Sequence, residues 1–171
     1  MDTAYLKKAE EMAKAAQDKF YDGQRGGYYM SPSDSYELFM NPKETYDGAV
    51  PSGNSVMAYV FVRLFQLTEK EEYEKSAKKQ LSYMSGNAQS YPAGHTMFLI
   101  AKLLYENPPA HILAVLKEPA DLAELKAKLP FLGNVCIVPE SAEHPCINNK
   151  TTYHICKDNV CLLPTNELVQ V

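Results

Sequence analysis

The sequence predicts a mainly α chain: helical hairpins first, then a small α/β tail. Three observations carry this reading. Helix-period apolar patterns dominate residues 3 to 105, and two of the helices are apolar on nearly every face. Those two helices open on related motifs at Pro51 and Pro92. Beyond Pro108-Pro109 the pattern turns to short alternating runs, and all four cysteines fall there.

Residues 3 to 20 read as an amphipathic helix. Tyr5, Leu6, Ala9, Met12, Ala13, Ala16 and Phe20 recur at three- and four-residue steps, with Lys7, Lys8, Glu10, Glu11 and Lys14 opposite. Asp2 or Thr3 is placed to cap it. Tyr21 to Pro51 then runs without sustained periodicity. A connection of that length inside a compact domain is usually functional, and Tyr28, Tyr29, Tyr36 and Phe39 argue that it is ordered.

Residues 53 to 67, GNSVMAYVFVRLFQL, form a helix buried by neighbours on several sides. Thr68 and Glu71 then match a capping box for an outer helix, whose one narrow stripe is Tyr73, Ala77, Leu81 and Met84. A second buried helix covers 93 to 105 and is stopped by Pro108-Pro109. The order is outer, inner, outer, inner.

The inner helices share an opening. PSGNS from Pro51 aligns with PAGHT from Pro92, so that Asn54 stands where His95 does. Self-similarity at roughly 40 residues suggests stacked helical hairpins. Proline suits a first helical turn, glycine admits close approach, and Ser52, Asn54 and Ser55 can satisfy the free N–H groups. Such residues read in two ways. They cap helices, or Asp47, Ser52, Asn54 and His95 line a cavity where helix N-termini converge.

In the tail, HILAVLK reads as a strand and EPADLAELKAKLP as a helix with Leu122, Leu125 and Leu129 inward. NVCIVP is a second strand, which makes a βαβ unit. TTYHICKDNVCLLP reads as a hairpin turning at Asp158-Asn159. That register sets Cys156 opposite Cys161, which permits a disulfide. Zinc is the competing idea, since His144, Cys146, His154, Cys156 and Cys161 are soft ligands. The tight CxxC spacing of most zinc sites is missing, and packed thiols are the third alternative.

Composition narrows the function classes. The chain has 171 residues, 46% hydrophobic and 22% charged, with a net charge of −4 and no basic block. That argues against a nucleic-acid surface. No apolar run reaches membrane-spanning length, and the charged N-terminus is no signal peptide, so a cytoplasmic location and no membrane partner are expected. No cofactor motif is present in the sequence.

Three stretches carry a family likeness: GGYY at Gly26 to Tyr29, DGAVPSGNSVMAYVFVRLFQLT from Asp47, and YHICKDNVCLLP from Tyr153. They resemble the thioredoxin-domain-containing proteins related to spermatogenesis-associated protein 20. Members carry a thioredoxin-like domain and then a toroid of paired helices, like that of six-hairpin glycosidases and N-acylglucosamine 2-epimerases. The resemblance implies a partial α/α toroid over residues 1–107, followed by a small α/β unit over 108–171 with paired cysteines. It implies a C-terminal fragment of a longer protein. The thioredoxin-like domain and the remaining hairpins would be its partners, and exposed helix faces would favour self-association.

Carried onto this sequence, the resemblance suggests a site for a sugar-like molecule, with Asp47 as general base and His95 as acid or proton carrier. Asn54, Ser52 and Tyr29 would bind hydroxyls. A complete catalytic pair within the fragment is not expected, so the first reading is a cavity wall without autonomous catalysis. The alternative is a redox-linked scaffold that docks a thioredoxin-like domain through Cys156 and Cys161.

Overall fold

A computed structural model describes residues 3–32, 40–128, 134–157 and 160–168. The proposed Asp2 cap, Tyr36, Phe39, Leu129 and the Asp158-Asn159 turn lie outside the described residues. The chain divides into two compact units, Asp2–Asn107 and Pro108–Val171.

The first unit is helical. α1 is Thr3–Phe20, α2 Gly53–Thr68, α3 Glu71–Ala88 and α4 Thr96–Glu106. α2 packs against α1, α3 and α4, which is why its sequence is apolar on so many faces. Phe61, Val62, Leu64, Met84 and Phe98 fill the core, with Ala58, Ala77 and Ala101 letting the helices approach closely. α3 turns Ala77, Leu81, Met84 and Ala88 inward, and carries Lys75–Glu71 and Lys78–Glu74 ion pairs outside. On α4, Leu99, Ile100 and Leu103 remain exposed.

The capping box expected at Thr68 does not form. Thr68 is the last residue of α2 and its hydroxyl donates to the Leu64 carbonyl at 2.7 Å. Lys70 precedes α3 without a side-chain cap. The same oxygen accepts the Lys70 N–H at 3.4 Å, one residue short of the Glu71 N–H that a capping box would engage.

The second unit is a mixed sheet. β1 is His111–Leu116, α5 Asp121–Lys128, β2 Val135–Pro139, β3 Thr152–Lys157 and β4 Val160–Cys161. The order is β2-β1-β3-β4; β1 runs parallel to β2 and antiparallel to β3, and β3 is antiparallel to β4. Ala114, Leu125, Tyr153 and Ile155 form the centre of its core.

The fold is therefore mixed α/β, with five α-helices and four strands among the described residues. The expected mainly α partial toroid is corrected. The alternating runs of the tail build a four-stranded sheet with its own core, instead of trimming an α fold. The helices also gather around α2 rather than following one another as equivalent hairpins.

Candidate functional site

The motif around Asp47 is built on two helix N-termini. Ser52 is the N-cap of α2; its Oγ accepts the Ser55 N–H at 3.1 Å. The Asp47 carboxylate accepts the Ser52 N–H at 2.9 Å through Oδ1 and the Met97 N–H at 2.8 Å through Oδ2. Asp47 N–H in turn donates to the Gly94 carbonyl at 2.7 Å. One aspartate thus joins the start of α2 to the first turn of α4, where both helix dipoles favour negative charge. Burial pushes its carboxyl up, but the Ser52 N–H, the Ser55 hydroxyl and the Met97 and Phe98 N–H groups outweigh it, and the pKa is lowered.

The two related openings fold differently. Pro51-Ser52 leads straight into α2, whereas Pro92–Gly94 makes a 3₁₀ turn and α4 starts only at Thr96. His95 is buried, with Nδ1 2.9 Å from the Tyr91 carbonyl. A carbonyl only accepts, so Nδ1 carries a proton and donates.

Asn54, 1% exposed, is a clamp. Its Oδ1 accepts the Tyr28 N–H at 2.7 Å, and its Nδ2 donates to the Tyr28 carbonyl at 2.9 Å and to the Glu44 carbonyl at 2.7 Å. Gln80 Nε2 donates to Asn54 Oδ1 and to its backbone carbonyl, at 3.1 and 3.0 Å. A buried amide satisfied at every position ties Tyr28 and Glu44 to α2 and α3.

Tyr29 belongs to a cluster that the sequence reading did not single out. Its hydroxyl donates to Asp22 Oδ2 at 2.7 Å, and Lys43 Nζ donates to the same oxygen at 2.7 Å. Asp22 Oδ1 accepts the Gln24 and Arg25 N–H groups. Lys43, Tyr29 and those two N–H groups together hold the Asp22 carboxyl far below the usual carboxylate range. Lys43 also donates to the Gly26 carbonyl and lies over the Tyr29 and Tyr83 rings. Gly26 and Gly27 have φ of +75° and +76°, and a Cβ on Gly27 would meet the Tyr83 ring at 2.4 Å. Tyr-Asp-Gly followed by Gly-Gly is the sequence signal available for this turn; nothing local points to Lys43 as the partner of Asp22.

Beside this framework lies a surface cleft of about 640 Å³. Ala16, Phe20, Tyr28, Tyr29, Met30, Tyr46, Val56 and Met57 line it, and the loop from Gly48 to Gly53 forms one wall. Glu44 and Ser52 are the other polar side chains of the lining. Tyr46 also stacks on Tyr91, with ring centroids 6.3 Å apart, and the pair encloses Gly94.

Of the residues singled out from the sequence, Tyr29 and Ser52 reach this cleft. Asp47, Asn54 and His95 are not among its lining. They hold helix ends and loops in place, which supplies a rigid wall. Asp47 and His95 are each engaged by backbone groups, so among the described residues they do not form a free acid–base pair.

In the second unit Cys156 and Cys161 form a disulfide, in register on β3 and β4. Cys146 is a free thiol whose Sγ lies 3.6 Å from the Val115 carbonyl, and Cys136 is free and exposed. His154 is on β3 opposite Leu113, and His144 bonds within a loop, its N–H donating to Ser141 Oγ at 3.1 Å. Among the described residues, no three His, Cys, Asp or Glu side chains are grouped to hold a metal ion. No described helix is long and apolar enough to cross a membrane.

Fold and site together define a mixed α/β chain of two compact units with an aromatic-lined cleft. No family model matches the sequence. The chain is similar to an uncharacterised protein, B0495.5, of Caenorhabditis elegans, with 25% identity over 181 aligned residues. That match takes in 98% of this chain and 25% of the relative, so the chain spans about a quarter of the length of the curated relative it matches.

Proposed function

We propose that the helical unit is a binding module, without catalysis of its own, for a small ligand with one apolar face and a hydroxylated rim. A sugar ring has this chemistry. The observation that carries the reading is the cleft itself: three tyrosines and aliphatic side chains form its lining, and the exposed Glu44 adds a polar group, while the Ser52 hydroxyl stays engaged with Ser55. The C–H face of a ring packs on tyrosine, and the polar groups orient it. The chain then serves within a longer protein of the thioredoxin-domain-containing group related to spermatogenesis-associated protein 20. The GGYY, DGAVPSGNS and YHICKDNVCLLP stretches support that membership.

The test is an amide NMR titration with a panel of mono- and oligosaccharides. Saturable shifts concentrated at Met30, Ala49 and Val56 are expected. Tyr46→Ala and Val56→Asp should abolish them while leaving the rest of the spectrum in place. A panel that produces no saturable shift, or shifts that survive both substitutions, overturns the reading.

A further inference from the structure

We infer that the Cys156–Cys161 pair is a reversible dithiol–disulfide switch that holds β4 on the sheet, and that a dithiol reductant opens it. The inference is independent of the cleft. It rests on how little else holds β4. That strand is two residues long, occupies the sheet edge, and among the described residues pairs as Cys156 with Cys161 and Lys157 with Val160. Its side chains bury almost nothing: Val160 is 63% exposed, and the following Leu162 and Leu163 are 51% and 89% exposed. One backbone bond, Leu162 N–H to the Ile155 carbonyl at 2.8 Å, continues the pairing. A two-residue edge strand with exposed side chains gains little from the sheet, so the sulfur–sulfur bond is the main constraint on it among the described contacts.

The next segment is held separately. Tyr153 and Thr165 exchange two backbone bonds, of 2.8 and 3.1 Å, and Asn166 Nδ2 donates to the Thr151 carbonyl at 2.9 Å. Opening the disulfide therefore frees β4 and leaves that anchor in place. The remaining thiols are poor competitors for either sulfur. Cys136 lies on β2, at the opposite edge of the sheet, and burial pushes the Cys146 thiol up, which disfavours its thiolate.

Cys161 is exposed and Cys156 is partly covered, so attack falls on Cys161. A reductant thiolate bonds to Cys161 Sγ, the Cys156–Cys161 bond breaks, and Cys156 leaves as thiolate and takes a proton from water. The second reductant thiol attacks its own partner sulfur and releases Cys161, which is protonated in turn. Two electrons and two protons pass to the chain, and the reductant leaves as a disulfide.

The experiment uses the whole chain with dithiothreitol as the reductant. Without denaturant, accessible plus buried thiols should rise from two to four, counted by alkylation and mass spectrometry after quenching. Hydrogen exchange at the Leu162 amide should accelerate by at least about tenfold, while Tyr153 and Thr165 stay protected. Reoxidation should restore the slow rate. A Cys156→Ser, Cys161→Ser variant should exchange fast at Leu162 under both conditions, with Tyr153 protection reporting that it has folded. Four thiols in the air-oxidised chain, reduction that needs denaturant, or Leu162 exchange unchanged by reduction overturns the inference.

Discussion

Asn54 grips Tyr28 by both of its backbone polar groups, accepting the N–H at 2.7 Å and donating to the carbonyl at 2.9 Å. A side-chain amide here does the work of a neighbouring strand. It pins residue 28 of a long connection to the first turn of α2, and the cleft wall depends on it. Asn54→Ala would leave Tyr28 and the Glu44 carbonyl without these partners, while Gln80 keeps only the backbone carbonyl of residue 54. The expected loss is about 2–4 kcal/mol, measured by urea unfolding. A loss below about 1 kcal/mol would show that water or a rearranged Gln80 replaces the clamp.

Asp47 should make the helical unit acid-sensitive. Its folded pKa lies below the ordinary carboxylate value. A depressed carboxylate stabilises fully above its unfolded pKa, and that contribution is lost as pH falls through the folded value. The advantage of the native chain over Asp47→Asn should be level above about pH 5 and shrink below about pH 4. Urea unfolding at a series of pH values checks this. An advantage that stays constant down to pH 3 would contradict it.

Gly27→Ala combines a left-handed backbone with a collision against the Tyr83 ring. The expected cost is about 1–3 kcal/mol. In a Tyr83→Ala background the collision disappears and only the backbone strain remains. The two substitutions should therefore be strongly non-additive in thermal unfolding, and simple additivity would show that the ring moves aside freely.

Leu125 is the buried residue of α5 and packs in the core of the sheet unit with Ala114, Tyr153 and Ile155. Leu125→Ala should cost that unit about 2–5 kcal/mol. Amide exchange at Ile112 and Ile155 reads the effect directly. Unchanged protection there would mean that the helix contributes little to holding the sheet.

Much of the local architecture is legible in the residues. The apolar spacing from Tyr5 to Phe20 marks α1, and the structure places that helix at Thr3–Phe20. The surrounded character of α2 is likewise written in its uniformly apolar faces. Thr68 misled because a threonine before Glu71 fits a capping box, yet the same hydroxyl can close the helix behind it. Sequence spacing does not say whether that oxygen also meets the N–H of Lys70, as it does, or that of Glu71. The fold class misled for a different reason. Periodicity identifies hairpins and strands one at a time, but how they assemble depends on which apolar faces meet.

The candidate site shows the same division. The residues around Asp47 and Asn54 stand out by type, and proline, glycine and serine there prescribe a helix start at Gly53. Those features follow from near-neighbour sterics and from N–H groups that need a partner, so the sequence determines them by itself. Only the tertiary structure decided that Asp47 would reach Met97, that Lys43 would find Asp22, and that Tyr29 and Ser52 would be in the cleft lining while Asn54 and His95 are buried outside it. Such pairings close loops of 20 to 50 residues. Their entropy cost is met by the packing of whole helices, and no short stretch of sequence contains that sum.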